Sequence, residues 1–514
     1  MKIENFIKNN PIRFKNNMSK KKVLVVDRMR GDALFIACLA GFIFNKFFKY
    51  NVDLVTDTSK YGISYKLHKS YNFNKIYHLS LQMINLNKIL LIFFTLCNFI
   101  FILFKILLFG DNWFIYKFKL RGIYFGDIFY DDFVRHQKGY IHNSLLNFKF
   151  LKILFIGVYK INSVNQILHK DDYKFVVCST FVYTSTSAIT MRIALKNGIK
   201  VILFRNIFFQ LYNKLSDAYT SDRKVYKKDL KLIDKIDQKW SSKINIYLSN
   251  KFAGKSTQRD SKVSFGKDKQ YLKSVLKSRK LNLKGFKRVG LFAPHCFTDS
   301  NYAQGYFLFK NYYEHFIKTL EIIEKNKNIF WFVKPHPLNQ IYNEQDLTRE
   351  ALLKLNKKNT YIYSDKINTL DLLKASDIIV TGRGTIGIEA ACLGKKPVLA
   401  GDSYYASLGI TLNPKNVHEY ENLILNDKSN YILNKKQIYL AKKACFSDHF
   451  RYSFFTSKII PKYEFIDVNI KKKIVMQKFI YGKDHLQTIN LNLKKHDIFK
   501  DRLYLSLKKF ILEI

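Results

Sequence analysis

At 514 residues the chain is too long for one ordinary hydrophobic core, and its 47% apolar content excludes a largely disordered polypeptide. A formal charge of +47 suits a phosphate-bearing partner, nucleic acid or an anionic membrane face. The lysines are spread along the chain rather than gathered into one arm, so most of the charge reads as bulk composition. No nucleic-acid partner is expected, and a contribution at a membrane surface is left open.

Residues 1–20 form a basic tail, and MKIENFIKNNPIRF has no long apolar core or small-residue cleavage site, so no secretory signal is expected. The apolar run Val23–Val26 leads to Asp27-Arg28-Met29-Arg30-Gly31-Asp32, then a long apolar helical segment (Ala33–Phe48) and a second strand (Val52–Thr56). This is the opening βαβ of a doubly wound domain spanning 21–210, with Gly31-Asp32 in the loop at the carboxyl end of its first strand. Ligands bind outside such strand ends, which places Asp32 in the expected crevice.

Ile89–Phe109 is almost unbroken apolar, interrupted by Thr95, Asn98 and Lys105. Its length suits a transmembrane helix, but the polar interruptions favour a helix docked on a membrane surface; a buried core helix is the other alternative. Gly122–Asp132 carries three acids and two glycines in a loop-like setting, a candidate substrate wall. Phe175–Ser179 and Ile199–Phe204 read as strands around the helix Ala188–Lys196, again a parallel-sheet pattern.

Between 211 and 290 there are 22 Lys and Arg against 7 acids. Lys224–Trp240 reads as an amphipathic helix and Gly254–Asp268 as a mobile loop, in a basic helical connector assigned to 211–285. Such charge runs are most often solvated faces.

A second Rossmann-like domain, 286–425, begins with the strand Arg288–Ala293 and Pro294-His295. A helix (Tyr312–Lys325) follows, then the strand Ile329–Val333, which runs into Lys334-Pro335-His336-Pro337. Tyr361–Tyr363 and the helix Leu370–Ala375 lead to DIIVTGRGTIGIEAACLGKKPVLAGD, Asp377–Asp402. Here an apolar strand stops at Thr381-Gly382-Arg383-Gly384, a helix runs from Thr385 to Leu393, Gly394 ends it, and a strand begins at Pro397. That unit places an anion at a helix N-terminus. The glycines let backbone N–H groups approach an oxygen, and Lys334 and Arg383 can add full charges. Glu389, one turn into the helix, can accept from ribose hydroxyls. Residues 426–514 read as a helical extension broken at Pro461.

The six cysteines are isolated, with no C-x-x-C, which fits a reducing compartment rather than a zinc site or disulfide framework. No GxxxxGK[ST], GxSxG, HExxH or Asp-x-Asp occurs. Neither a cofactor nor a metal is therefore expected, and leaving-group charge falls to the helix dipole, Arg383 and Lys334.

KPHP followed about forty residues later by SDIIVTGRGTIGIEAACLGKKPVLAGDSYY resembles the capsular and surface polysaccharide biosynthesis glycosyltransferases of the GT-B type, including Kdo-transferase-like and HP-motif enzymes. The resemblance spans about Val289 to Thr411 and is looser at GDALF and GDIFYDDFVR. It implies an α/β fold with two facing Rossmann-like (GT-B) domains and a helical C-terminal extension. It also implies a nucleotide sugar held mainly by the second domain, with His336, Thr385 and Glu389 as nucleotide contacts. His295, Lys334, Gly382, Arg383 and Gly384, read from the loops themselves, complete the candidate nucleotide-sugar-binding set. A surface polysaccharide or lipid-linked glycan acceptor would then be met by the first domain. Asp32 is the expected general base, with Asp127 and Asp131 in reserve. The paired-acid-plus-Gly motif of the sialyltransferase branch is absent, which argues against CMP-sialic acid.

The expected protein is an inverting, metal-independent glycosyltransferase, cytoplasmic and peripheral to the inner face of the plasma membrane. Two alternatives are a nucleotide-sugar 2-epimerase-like isomerase and a non-catalytic polysaccharide-assembly partner. A soluble sugar nucleotide needs no membrane docking, so the Ile89–Phe109 segment argues against the isomerase.

Overall fold

The computed structural model describes residues 2–514 except 28–30, 59–61, 81–85, 136–143, 206–207, 221–224, 226–229, 232, 235–236, 256–258, 267–269, 279–281, 340–341, 356–360, 364–365, 427–430 and 451–482. The chain divides into two compact units. The first comprises Met1–Phe133, Asn143–Tyr219 and Tyr452–Ile514; the second comprises Val134–His142 and Thr220–Arg451.

The first unit runs α1 (Lys2–Lys8), β1 (Lys22–Val26), α2 (Gly31–Phe48), β2 (Asn51–Thr56), α3 (Gly62–Ser70), β3 (Ile76–His78) and α4 (Leu86–Lys117). It continues with β4 (Lys119–Leu120), β5 (Ile123–Tyr124), α5 (Gly126–Arg135), α6 (Phe148–Lys170), β6 (Tyr173–Cys178), α7 (Thr186–Lys196), β7 (Lys200–Arg205) and β8 (Phe208–Tyr212). Its main sheet has the order β3-β2-β1-β6-β7-β8. The first five strands are parallel, as the strand–helix alternation predicts, whereas β8 returns antiparallel along the edge.

Two features depart from the sequence reading. The helix after β1 already begins at Gly31, so Asp32 lies in its first turn rather than in a loop. Gly122–Asp132 is no loop either: it forms β5 and most of α5. Asp127 and Asp131 lie four residues apart on one face of that helix, and both are buried.

α2 is apolar nearly all round, which a helix tolerates only when covered on both sides. One side meets the sheet, where a side chain at Gly41 would come 3.1 Å from Val52. Over the helix lies a second layer formed by the two last helices of the chain, numbered after those of the second unit. Its Ile489, Leu503, Leu507 and Phe510 join Phe35 and Leu39 in one core.

The second unit contains α8 (Trp240–Phe252), α9 (Arg259–Phe265), α10 (Leu272–Ser278), β9 (Arg288–Ala293), α11 (Tyr312–Ile323), β10 (Ile329–Val333), α12 (Gln345–Leu355) and β11 (Tyr361–Tyr363). Then come α13 (Thr369–Ala375), β12 (Ile378–Thr381), α14 (Thr385–Cys392), β13 (Val398–Leu399), α15 (Val417–Leu425) and α16 (Lys435–Phe450). The last two helices, α17 (Lys483–Lys495) and α18 (Arg502–Leu512), belong to the first unit. The mobile loop expected at Gly254–Asp268 is a correction: α9 occupies its centre, and Phe265 packs edge-on against Phe252. Of the helix read at Lys224–Trp240, residues 224, 226–229, 232 and 235–236 lie outside the described residues, as does Pro461.

Five parallel strands in the order β11-β10-β9-β12-β13 form the second sheet. Strand residues alternate between its faces. Trp331, Val333 and Val380 meet α11 and α15 on one side, and Phe330, Phe332 and Ile379 meet α13 on the other.

Candidate functional site

In the second sheet the strand order reverses between β9 and β12, and ligands of doubly wound sheets bind at the carboxyl ends around such a point. Three loops emerge there, after β9, β10 and β12, and side chains tie them together. Glu344 accepts from the Phe297 and Thr298 N–H groups (2.8 Å each), pinning the first loop. His336 Nδ1 accepts from Leu338 N–H at 3.2 Å and lies 3.1 Å from Cys296 Sγ, joining the second loop to the first. Thr381 Oγ1 donates to Ala293 O at 2.8 Å, joining the third.

Arg383 dominates the turn before α14. It is 7% exposed, yet no carboxylate among the described residues forms an ion pair with it. Nη1 donates to Gln304 O at 2.6 Å, and the guanidinium stacks 4.9 Å from the Phe307 ring centroid and 5.6 Å from that of Tyr312. Nε and Nη2 are buried without a hydrogen-bond partner among the described residues. A fixed positive fork with two unmet donors is chemically suited to an anion.

The surrounding backbone is shaped for close approach. A Cβ on Gly382 would lie 2.9 Å from the His295 ring, and one on Gly387 would lie 2.2 Å from the Tyr405 hydroxyl. Gly384 caps α14 and, as glycine, supplies no side-chain hydrogen bond to the first N–H groups of the helix. Thr385 is exposed at that end.

His295 accepts the Arg383 N–H on Nε2 at 3.3 Å and stacks on Tyr312 at 4.7 Å. Burial, reinforced by His336 and Arg383 and partly offset by Asp299, pushes its pKa down to about 3. It is therefore neutral near pH 7, as an acceptor must be. His315, buried and bonded to Tyr420, is pushed down to about 3 by burial first and then by His295 and Arg383.

Both histidines bind a proton more readily in the unfolded chain, near 6.5, than in the fold, so their contribution is present above pH 6.5 and lost on acidification toward 3. Glu344, raised by burial to about 7 against the hydrogen bonds it accepts, acts oppositely: its contribution is full below about 4.5 and lost toward 7. His295→Asn should therefore reduce the pH slope of unfolding free energy between pH 3 and 6.5 by up to about 1.4 kcal/mol per unit. Denaturant titrations across that range check this; an unchanged slope would show that His295 is already protonated in the fold.

The remaining site candidates have specific fates. Lys334 is buried and donates to Ile367 O at 2.7 Å, so one of its donors is committed to the backbone before α13. Glu389 Oε1 receives Lys251 Nζ of α8 at 2.5 Å, and both side chains are buried. Burial alone would lower the Lys251 pKa, but Glu389 more than offsets this and holds it above the usual lysine range.

In the first unit, Asp127 is closed off. Its two carboxylate oxygens each receive a guanidinium N–H of Arg192 at 2.6 Å, and Arg192 also donates to Tyr124 O. That leaves Asp127 no free role in proton abstraction. Asp131 is 1% exposed. Asp32 heads α2 at the carboxyl edge of the first sheet, and its side chain lies outside the described residues.

Sequence reading missed Gln304, Phe307, Tyr312, Tyr405 and Lys251, the residues that hold Arg383, the turn and Glu389. Only Tyr405 sits in a motif stretch, at the end of SDIIVTGRGTIGIEAACLGKKPVLAGDSYY. The aromatic density of Tyr306–Tyr313 was the available signal, because an arginine without a carboxylate needs flat partners.

The second unit thus belongs to the class of doubly wound α/β domains, with a glycine-rich turn and a helix start at its strand-order reversal. Residues 264–450, from α9 to the end of α16, match the family "Capsule polysaccharide biosynthesis protein". No curated protein matches the chain.

Among the solved structures similar to this chain are the following three. The beta Kdo 2,4 transferase KpsC of Thermosulfurimonas dismutans is 15% identical over 53% of this chain and 79% of its own, with a TM-score of 0.33. The Neisseria meningitidis UDP-GlcNAc 2-epimerase bound to UDP-GlcNAc is 12% identical over 83% and 99%, with a TM-score of 0.23. A glycosyltransferase from Rickettsia africae is 10% identical over 96% and 97%, also at 0.23. At such low TM-scores these likenesses carry no weight for the chemistry.

Proposed function

We propose that the protein is a glycosyltransferase of capsular or surface polysaccharide biosynthesis. It binds a nucleotide-sugar donor through its second unit and transfers the sugar to a polysaccharide or lipid-linked glycan at the cytoplasmic face of the plasma membrane. The observation that carries this reading is Arg383: a buried guanidinium with two unmet donors among the described residues, beside a helix start whose cap, Gly384, brings no side chain, inside the segment that matches the capsule family. A diphosphate satisfies those donors and the helix dipole together, and the same contacts stabilise the charge left when the sugar departs. In this reading no divalent metal takes part. His336, with Nδ1 used as an acceptor, carries its neutral-state proton on Nε2, from which it can donate to the donor nucleotide.

Transfer is inverting. Asp32 takes the proton from the acceptor hydroxyl as that oxygen attacks the anomeric carbon and the nucleotide leaves. The test is incubation with a panel of nucleotide sugars and a lipid-linked acceptor in chelator. Sugar transfer supports the proposal; interconversion of the nucleotide sugar without acceptor identifies an isomerase instead, and no turnover of any donor sinks both. Asp32→Asn should lower transfer at least about 100-fold while leaving nucleotide affinity unchanged. Transfer at the wild-type rate would remove Asp32 as the base.

A further inference from the structure

α4 is the least explained element of the first unit. It is one helix from Leu86 to Phe109, broken at Gly110 (φ 74°, ψ 175°) before a last short turn. Its stretch Lys88–Lys117 has a mean hydropathy of 2.6 in its most apolar window, yet only 22% of that window is buried inside the protein. A core helix would be covered; this one is not.

One narrow stripe packs on α6. Leu91, Thr95, Ile102 and Ile106 are buried, Thr95 Oγ1 accepts from Asn162 Nδ2 at 3.2 Å, and the Phe99 and Phe155 rings meet edge-on at 5.6 Å. The opposite arc, roughly 160° wide at the α-helical 100° per residue, is apolar throughout. Phe93, Ile100, Phe101, Phe104, Leu107 and Leu108 are each more than half exposed. Lys105 stands at the border of this arc, its ammonium 5.5 Å and 5.0 Å from the Phe101 and Phe109 ring centroids.

The two helices run antiparallel, with Phe114 against Phe150 at 5.1 Å, so the start of α6 adjoins the end of α4. There Phe148 is 84% exposed beside exposed Lys117, Lys119, Lys149 and Lys152.

We infer that the exposed arc of α4, extended by Phe148, docks flat on an anionic lipid bilayer, with the helix axis in the membrane plane and the lysines at its end among the headgroups. A helix stitched lengthwise to α6 through Thr95–Asn162 is not available to cross a bilayer alone, since Asn162, Ser163 and Lys160 would have to enter with it. The uncharged arc bordered by lysine suits an interfacial helix facing acidic headgroups. The inference rests on the membrane-face part of the reading above and not on its sugar chemistry, so vesicle binding and sugar transfer fail separately.

Cys97 is the one exposed cysteine of the six, lies on this arc, and is two residues from the middle of Ile89–Phe109. Labelled there with an environment-sensitive fluorophore, the full chain should float with phosphatidylglycerol-containing vesicles about tenfold more than with phosphatidylcholine alone. The signal should be quenched most by a lipid nitroxide near the headgroup. In unlabelled protein, Phe93→Ser/Phe104→Ser/Leu107→Ser should cut the floated fraction about tenfold with unchanged circular dichroism. Strongest quenching by a nitroxide at the chain end would indicate a spanning helix and overturn the in-plane placement. Undiminished flotation of the triple variant, or no flotation together with a concentration-dependent dimer that the variant loses, would overturn lipid docking itself.

Discussion

Arg383→Met is expected to weaken binding of a nucleoside diphosphate by roughly 30- to 150-fold while leaving the unliganded protein at least as stable as wild type. The two halves have one cause. In the absence of ligand, Arg383 holds a full charge at 7% exposure with Nε and Nη2 unpartnered among the described residues. Each unmet buried donor costs about 1–3 kcal/mol, which methionine removes while keeping an unbranched, polarisable chain against Phe307 and Tyr312. With a diphosphate present, the same atoms form charge-assisted bonds that methionine lacks. Arg383→Lys should fall between them, retaining charge without the fork. Calorimetric titration with a nucleoside diphosphate and thermal unfolding read the two halves separately. A variant that binds normally, or that loses more than about 2 kcal/mol without ligand, would make Arg383 a scaffold for the Gln304 loop rather than an anion receptor.

The second large effect lies in the first unit. Asp127→Asn should destabilise it by roughly 3–5 kcal/mol, because Arg192, 1% exposed, would lose one of its two carboxylate bonds, face an amide NH2 in its place and remain buried without a counter-charge. Burial works against the Arg192 cation, and Asp127 is the chief group that overcomes this and holds its pKa above the usual range. Tyr219, 4.9 Å from the guanidinium, cannot replace a carboxylate. Replacing the pair together, Asp127→Leu with Arg192→Met, should recover most of that loss, since a well-packed apolar pair avoids both desolvation costs. Denaturant midpoints for the singles and the double decide it. If Asp127→Asn unfolds like wild type but transfers no sugar, Asp127 belongs with the catalytic residues after all.

The contrast between these two arginines shows where a sequence can be read. Arg383 stands between Gly382 and Gly384, after an apolar strand and before a helix, so its place in a turn is set by four consecutive residues. Its side-chain partners Gln304, Phe307 and Tyr312 nevertheless come from far earlier in the chain. Arg192 sits in a helix with no local mark, and its partner is 65 positions earlier. The Gly122–Asp132 stretch failed for a related reason. Its glycines and acids carry a turn composition, but Ile128, Phe129 and Phe133 are buried and draw the segment into α5. Local propensity is a weak prior beside such burial. β8 went unpredicted because an edge strand after five parallel ones is set by what lies beside β7, which no local pattern reports.

The sequence by itself determined the strand-and-turn grammar of both units: apolar runs ending at glycine, proline or aspartate, spaced by helices, and the glycine-rich turn at Gly382–Thr385. Those features are local, written in periodicity and in residues with restricted or unusual backbone freedom. Tertiary structure alone decided what the polar groups do. It gave Glu389 to Lys251, drew Lys334 to Ile367, closed Asp127 with Arg192 and left Arg383 unsatisfied. It also assigned the motif-free α17 and α18 to cover α2 and left one side of α4 uncovered. Each outcome depends on which distant side chain reaches a buried charge or an apolar face first, and that is a property of packing rather than of neighbouring residues.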